Sequence, residues 1–382
     1  MLKRTYIFTL ISCAVLATVT IAIAQRESFI TIEGPNLKAR IDSAVKQGKS
    51  AGQPFFWAAY AFDVRPGVAV DVEMTDFRGT TNTISGTSIS IGTSHGAAVE
   101  TRNLGVFLLH DSNSNSITRL EVYNLERQRE YSRYPVYWLG RAANEESLTL
   151  LKGMVSPAQQ FKISERAVMA IGLHDDPQVS AILKEFIRSS TREQVRSSSV
   201  FWLGQIGGEQ PFLADLVRGE GESIEFRKKA AFAIGVSKDA TALSTLQGLY
   251  GSVTHREIKR QIIFAASINE NRDRAVDFLI NIASNDPDPE CKKQALFWLG
   301  QRAGERSLRV LGDVANSSDA DTEVQKQAVF AISRRPKDEA IPMLIKIART
   351  HPKAEVRKQA LFWLGRSGDE RALELFKEIL AK

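Results

Sequence analysis

Cysteine is nearly absent: two in 382 residues, Cys13 and Cys291. Cys13 sits in an N-terminal stretch read as removable, which leaves Cys291 alone. No intramolecular disulfide framework follows, and stability must come from packing. Histidine is scarce too, at five residues, and no Cys/His spacing of the zinc type occurs. There is no Gly-x-Ser-x-Gly elbow to expose a nucleophilic serine. Dense runs of Lys or Arg are also missing. The formal charge is +6, or +4 without Lys3 and Arg4, a mildly basic surface with no electrostatic footprint for nucleic acid.

What is present starts with an address. Lys3 and Arg4 precede an apolar stretch from Tyr6 to Ala24, and Ala22-Ile23-Ala24 fits a small-x-small cleavage site before Gln25. A cleaved signal peptide over residues 1–24 is the favoured reading. An uncleaved N-terminal membrane anchor is a second, since about 19 apolar residues just span a bilayer. A lipoprotein signal ending Leu10-Ile11-Ser12-Cys13 is a third. Each places the bulk of the chain outside the cytoplasm, in the periplasm, the cell envelope or the medium. No stable membrane span is expected unless the signal stays uncleaved.

Self-similarity is the strongest signal. Tyr137-Trp138-Leu139-Gly140, Phe201-Trp202-Leu203-Gly204, Phe297-Trp298-Leu299-Gly300 and Phe362-Trp363-Leu364-Gly365 are copies of one another. Weaker copies lie between: Met169–Gly172, Phe232–Gly235, Ile263–Ala266 and Phe330–Ser333. The copies recur every 31 to 34 residues, one helix-turn-helix unit each. The spacing predicts an apolar first helix closed by a left-handed Gly, then an amphipathic second helix. Pro177, Pro211 and Pro342 fall near second-helix starts. Glu145, Glu209, Glu305 and Glu370 suit the positive end of those helices. The residue before the final Leu or Ile alternates large and small: Trp138, Ala170, Trp202, Ala233, Phe264, Trp298, Ala331, Trp363. Such units cannot bury their own apolar faces and must stack.

These residues resemble HEAT repeats, in the short class first named from phycobilisome lyases. The lead-in Asp-Pro-x-Val-Arg of that class is matched only in pieces, by Asp286-Pro287-Asp288-Pro289 and Val356-Arg357. The resemblance implies an all-α fold, an α-solenoid of about eight hairpins over residues 131–382. It leaves function open between lyases, hydroxylases and scaffolds. HEAT-repeat hydroxylases hold two irons with His-Glu pairs, and no His-Glu dipeptide exists here. A phycobilin lyase would need pigment and antenna substrates that an exported chain does not meet.

Residues 26–130 have another texture. Leu37, Ile41, Ala44 and Val45 suit a short helix. Val68, Val70, Val72 and Met74 alternate as a strand, and Phe107–Leu109 and Ile117–Leu125 read as strands joined by the polar turn 111–116. A small β-rich (α+β) N-terminal module capping the first repeat is expected.

The candidate sites follow. A basic residue recurs near each first-helix start: Arg166, Arg196, Lys228, Lys259, Lys292, Lys326 and Arg357. They are either a ladder for an acidic partner or bonded to loops of neighbouring repeats. His174, His255 and His351 are expected in solvated inter-helix loops, and Cys291 beside Lys292 and Lys293 is either a packing residue or an activated thiol. Gly92-Thr93-Ser94-His95-Gly96 offers a weak nucleophile pattern. No catalytic residue, cofactor or metal ligand is assigned. The expected function is a protein–protein interaction scaffold with a protein partner and no nucleic acid. The alternative is an enzyme or ligand-binding module in residues 26–130 using His95, His110 or Asp111. A further reading, envelope or polysaccharide binding, requires Phe55, Phe56 and Trp57 to be exposed. The last helix, with Leu373, Phe376 and Leu380, offers a surface for self-association.

Overall fold

In the computed structural model the described residues are 29–71, 98–126, 131, 133–302, 304–318 and 320–381. Residues 1–24, expected to be a signal, and Val72, Met74 and the Gly92–Gly96 stretch with His95 lie outside them. The chain divides into two compact units, residues 1–203 and 204–382. Sixteen helices and a small sheet region make up the described residues, and consecutive helical hairpins of the solenoid type dominate.

The first unit carries a five-stranded sheet in the order β1-β7-β2-β5-β6: β1 (Ile30–Thr31), β2 (Phe55–Ala61), β5 (Leu104–Asp111), β6 (Ser116–Asn124) and β7 (Val136–Arg141). A separate ladder pairs β3 (Ala69–Asp71) with β4 (Ala98–Glu100). β2 and β5 are near-continuous apolar runs because both their faces are covered. One face holds Trp57, Ala59, Phe107, Leu109, Tyr123 and Val136, with Phe29, Tyr131 and Trp138 packed on them. The other presents Phe56 to α1 (Leu37–Ser50), whose Gly48 admits its ring. Asn36 caps α1 by accepting from Ala39 N, and the predicted β5–β6 hairpin turns through Asn115 at φ 49°.

Two expectations change here. Phe56 and Trp57 are buried and Phe55 half-buried, so the exposed-aromatic surface does not exist. Tyr137-Trp138-Leu139-Gly140 is not the end of a first helix but strand β7, parallel to β2. Pro135 explains this, since two residues before Tyr137 it removes an N–H that the interior of a first helix requires. The β-rich module therefore runs through Arg141 rather than stopping at residue 130.

A lone helix, α2 (Asn144–Gly153), follows, and then seven full hairpins. The first is α3 (Phe161–Leu173) with α4 (Gln178–Ser189). Next come α5 (Glu193–Ile206) with α6 (Gln210–Arg218), and α7 (Ile224–Gly235) with α8 (Ala242–Ser252). The array continues with α9 (Arg256–Ile268) and α10 (Arg272–Asn285), then α11 (Pro289–Gly300) and α12 (Glu305–Asn316). It closes with α13 (Thr322–Ser333) and α14 (Lys337–Thr350), and α15 (Ala354–Ser367) and α16 (Glu370–Leu380). Glu305 and Glu370 open their second helices as expected. Pro342 lies a turn inside α14 rather than at its start.

The motif glycines do different work from that expected. Of the motif glycines Gly140, in β7, has a left-handed backbone at φ 72°, and the left-handed glycines of the helical array stand past the motif, at Gly207, Gly208, Gly304 and Gly368. Gly204, Gly235 and Gly300 are helical and face the next first helix, where a Cβ would collide with the backbone of Ala233, Ala265 and Ala331 respectively. That contact also corrects the register of the fourth hairpin. Its motif is Phe264-Ala265-Ala266-Ser267, so Ala265, not Phe264, holds the alternating position. Those three stackings are small-on-small approaches, which close packing favours, whereas the space a Cβ would need at Gly172 is filled by the Trp202 side chain.

Candidate interaction surface

With Phe264 in register, the sequences of the first helices align residue for residue, and the seven basic candidates sort into separate rows. Five positions before Met169, Phe201, Phe232, Phe264, Phe297, Phe330 and Phe362 stand Ser164, Arg196, Arg227, Lys259, Lys292, Gln325 and Arg357. Six of these seven donate a hydrogen bond back to a carbonyl at or just past the end of the preceding helix. Ser164 Oγ reaches Met154 O at 3.1 Å, Arg196 Nε reaches Ile187 O at 2.7 Å and Arg227 Nε reaches Val217 O at 2.7 Å. Lys292 Nζ reaches Ser284 O at 3.0 Å, Gln325 Nε2 reaches Ser317 O at 2.7 Å and Arg357 Nη1 reaches His351 O at 2.7 Å. Lys259 instead lies over the Tyr250 ring, 4.9 Å from its centroid. Cations there satisfy orphan carbonyls and the negative end of the helix dipole. Replacing the buried Arg227 with Met should cost about 1–2 kcal/mol in urea unfolding, because a buried carbonyl loses a charged donor.

The remaining candidates fall elsewhere. Arg166 pairs with Glu121 of β6 at 3.5 Å, joining α3 to the sheet. Lys228 and Lys326 stand four positions before their Phe, each paired with a Glu three residues earlier at 2.9 Å. That second row is the feature the sequence reading missed. Glu225/Lys228/Phe232, Glu257/Arg260/Phe264, Glu290/Lys293/Phe297, Glu323/Lys326/Phe330 and Glu355/Lys358/Phe362 repeat one pattern through five consecutive hairpins of the second unit. The spacing of three and four places each trio on one helix face. Arg260 and Lys293 make the same pair with Glu257 and Glu290, at 3.2 and 2.5 Å. The four inner Phe rings are half-buried and Phe362 is 52% exposed. The rings run along the row, Phe232 stacked near Phe264 at 6.1 Å and Phe297 near Phe330 at 6.4 Å. The pattern was legible in the residues, but the one-residue slip at Phe264 broke it.

The other candidates do not converge. His174 and His351 are buried rather than solvated, and only His255 of the three is exposed. His174 Nδ1 is 2.7 Å from Ala170 O and Nε2 is 2.8 Å from Ser147 Oγ, itself 3.0 Å from Tyr60 Oη. The ring stacks on Phe62, and burial holds its pKa down at about 4. His351 Nε2 sits 2.9 Å from Ala315 O. His110, on β5, stacks on Phe56, and burial with the nearby Lys49 charge also lowers its pKa to about 4. Neighbouring Asp111 caps its own turn by accepting from Asn113 N at 2.8 Å and Ser114 Oγ at 2.9 Å. His110 and Asp111 therefore form no shared pocket. Cys291 is buried, and burial raises its thiol pKa, the opposite of activation. Among the described residues no group of His, Cys, Asp or Glu is arranged to hold a metal ion, and no helix is long and apolar enough to cross a membrane.

The fold defines a tandem array of helical hairpins whose interfaces are built from small residues and backward-reaching caps. Residues 308–382 match the family model of HEAT repeats, so that stretch is HEAT-repeat, and the hairpins before it carry the same motif. No curated protein matches the chain. Human deoxyhypusine hydroxylase is similar in structure at 17% identity and TM-score 0.29, over 62% of this chain and 97% of that one. The CpcE–CpcF complex of phycocyanin lyase from Nostoc aligns at 14% identity and TM-score 0.23, over 48% and 97%. Importin beta aligns at 13% identity and TM-score 0.29, over 61% and 36%.

Proposed function

We propose that this chain is a protein-interaction scaffold that works outside the cytoplasm. The observation that carries the binding reading is the five-fold repetition of one exposed and half-exposed side-chain pattern along the first helices of residues 224–367. Core packing dictates the buried Ala and Gly of each hairpin, but it does not dictate a Glu and a basic residue at the same surface position five times. Repeat arrays tolerate change at such positions without unfolding, so a uniform row favours use as a contact face. The N-terminal Lys3-Arg4, apolar stretch and Ala22-Ile23-Ala24 support export. Deoxyhypusine hydroxylase chemistry is not carried over, because the five histidines lack adjacent Glu and, among the described residues, no group of His, Cys, Asp or Glu is arranged to hold a metal ion.

The test is affinity capture by the full chain from a native envelope fraction, with exposed polar residues exchanged one face at a time. Loss of a specific protein after exchange on one face is the expected result. Capture that survives exchange on every face would contradict binding through the repeats. Fractionation of the tagged chain, with recovery inside the cytoplasm, would contradict export.

A further inference from the structure

The second helices repeat a set of apolar positions, and α16 leaves that set open. In α14 the positions are Ile341, Leu344, Ile347 and Ala348, all buried, and in α12 Leu311, Val314 and Ala315 are buried likewise. The same positions in α16 are Leu373, Phe376, Ile379 and Leu380. They stay apolar, yet Leu373 is 54%, Ile379 47% and Leu380 86% exposed, and Phe376 is half-buried. Ala372 and Leu375 already bury the inner face of α16, so this second stripe is not what seats the helix on the array. A cleft of about 290 Å³ opens on the same side, walled in part by Leu373 and Phe376. Contiguous exposed apolar surface of this kind marks a contact face.

We infer that α16 docks antiparallel against α16 of a second copy of this chain, across a two-fold axis. The inference goes beyond the scaffold reading and does not depend on it. A two-fold contact requires a face that is its own complement, with residue i meeting j as j meets i. Leu373, Phe376 and Leu380 stand three and four residues apart, the interval that makes a seam between two helices. An axis passing beside Phe376 and Lys377, at the middle of that seam, sets Leu380 opposite Leu373 of the second copy. The same axis sets Leu373 opposite the second copy's Leu380. The most exposed side chain of the stripe is thus carried to the cleft beside Leu373, and knob and cleft meet twice. A foreign protein needs no symmetry in the face it covers, so the spacing about one midpoint favours a second copy. Charge does not oppose the contact either. Four of the five charged side chains on α16 are already paired within the chain: Glu374 with Lys377 at 2.8 Å, Glu378 with Arg349 at 2.5 Å and Arg371 with Asp369 at 2.8 Å. One helix per copy is a small contact among specific interfaces, so pairing is expected at micromolar rather than nanomolar concentration.

Sedimentation velocity of the full chain, from about 1 to about 200 µM, should show the mass rising from one copy toward two. The variant L373E/L380E changes exposed residues only, so it should keep its far-UV circular dichroism. It should associate about 10-fold or more weakly, because carboxylates then face each other across the axis. Phe161→Glu, at an exposed ring in the first unit, should leave the pairing unchanged. Chains carrying L373C and L380C are then mixed, one of them tagged, under mild oxidation. The axis brings residue 373 of one copy beside residue 380 of the other, so a mixed disulfide is expected. Two copies of the same variant hold their new thiols about 10 Å apart, seven residues at about 1.5 Å each, which is too far to bridge. One copy only at about 200 µM, wild-type association in L373E/L380E, or same-variant disulfides in place of the mixed one would each overturn the proposal. None of these outcomes bears on partner capture, which stands or falls on its own test.

Discussion

Gly300→Ala destabilises the chain by about 1–2 kcal/mol, while Gly365→Ala leaves stability unchanged or raises it by up to about 1 kcal/mol. The two glycines occupy the same place in the same motif, and on helix propensity alone both changes should help. At Gly300 an added Cβ would come 2.8 Å from the Ala331 carbonyl oxygen and 2.9 Å from its Cα. Backbone cannot step aside as a flexible side chain can, so α11 and α13 must separate and overpacking outweighs propensity. At Gly365 the added methyl meets only the Phe376 ring, at an ordinary 3.7 Å. Urea unfolding of both variants decides it. Equal shifts of the same sign would show that the motif glycine serves helix termination, not close approach.

Acidification should weaken the first unit through two buried imidazoles. His110 and His174 both have folded pKa values lowered to about 4, in each case chiefly by burial. A folded pKa below the unfolded one means that the unfolded chain takes the proton first. Their contribution is therefore whole above about pH 6.5 and declines as pH falls toward 4. For each histidine the loss across that window is about 3 kcal/mol. His110→Phe keeps the ring stacked on Phe56 and removes the proton site, so its stability should fall less steeply than the parent's. Unfolding free energies at about pH 7 and pH 4.5 measure the difference, and carboxylate titration cancels in the comparison. Parallel profiles for parent and variant would contradict the assignment.

Which parts of this fold could be read from residues depends on how local their causes are. The hairpins were legible because each rewrites the same apolar spacing, and the β5–β6 hairpin because its polar turn is flanked by clear strands. Strand β7 was not, since Tyr137-Trp138-Leu139-Gly140 copies a helical motif and only Pro135 argues against it. β2 was not legible as a strand, because one covered on both faces lacks the alternation that marks a half-buried one, and Phe55, Phe56 and Trp57 left the envelope-binding reading open until their burial removed it. Ser164, Arg196, Arg227, Lys292, Gln325 and Arg357 share one task through different side chains, so charge alone does not mark the row: of the seven basic candidates only Arg196, Lys292 and Arg357 perform it. The Glu-basic-Phe row was written plainly in the sequence. It stayed hidden because Phe264 was placed one position late, and register in a repeat is set by the backbone contact at Gly235 and Ala265 rather than by composition.

The central claim is that the first-helix strip of residues 224–367 is where a partner protein binds. Site-specific photocrosslinking in the native envelope tests it most directly, with a photoreactive residue placed at Lys326 or Lys358 and, separately, at Arg309 or Lys346 on second helices. The account predicts a discrete protein adduct from the Lys326 and Lys358 positions and none from the second-helix positions. Adducts from Arg309 and Lys346 alone, or equally from all four, would contradict it.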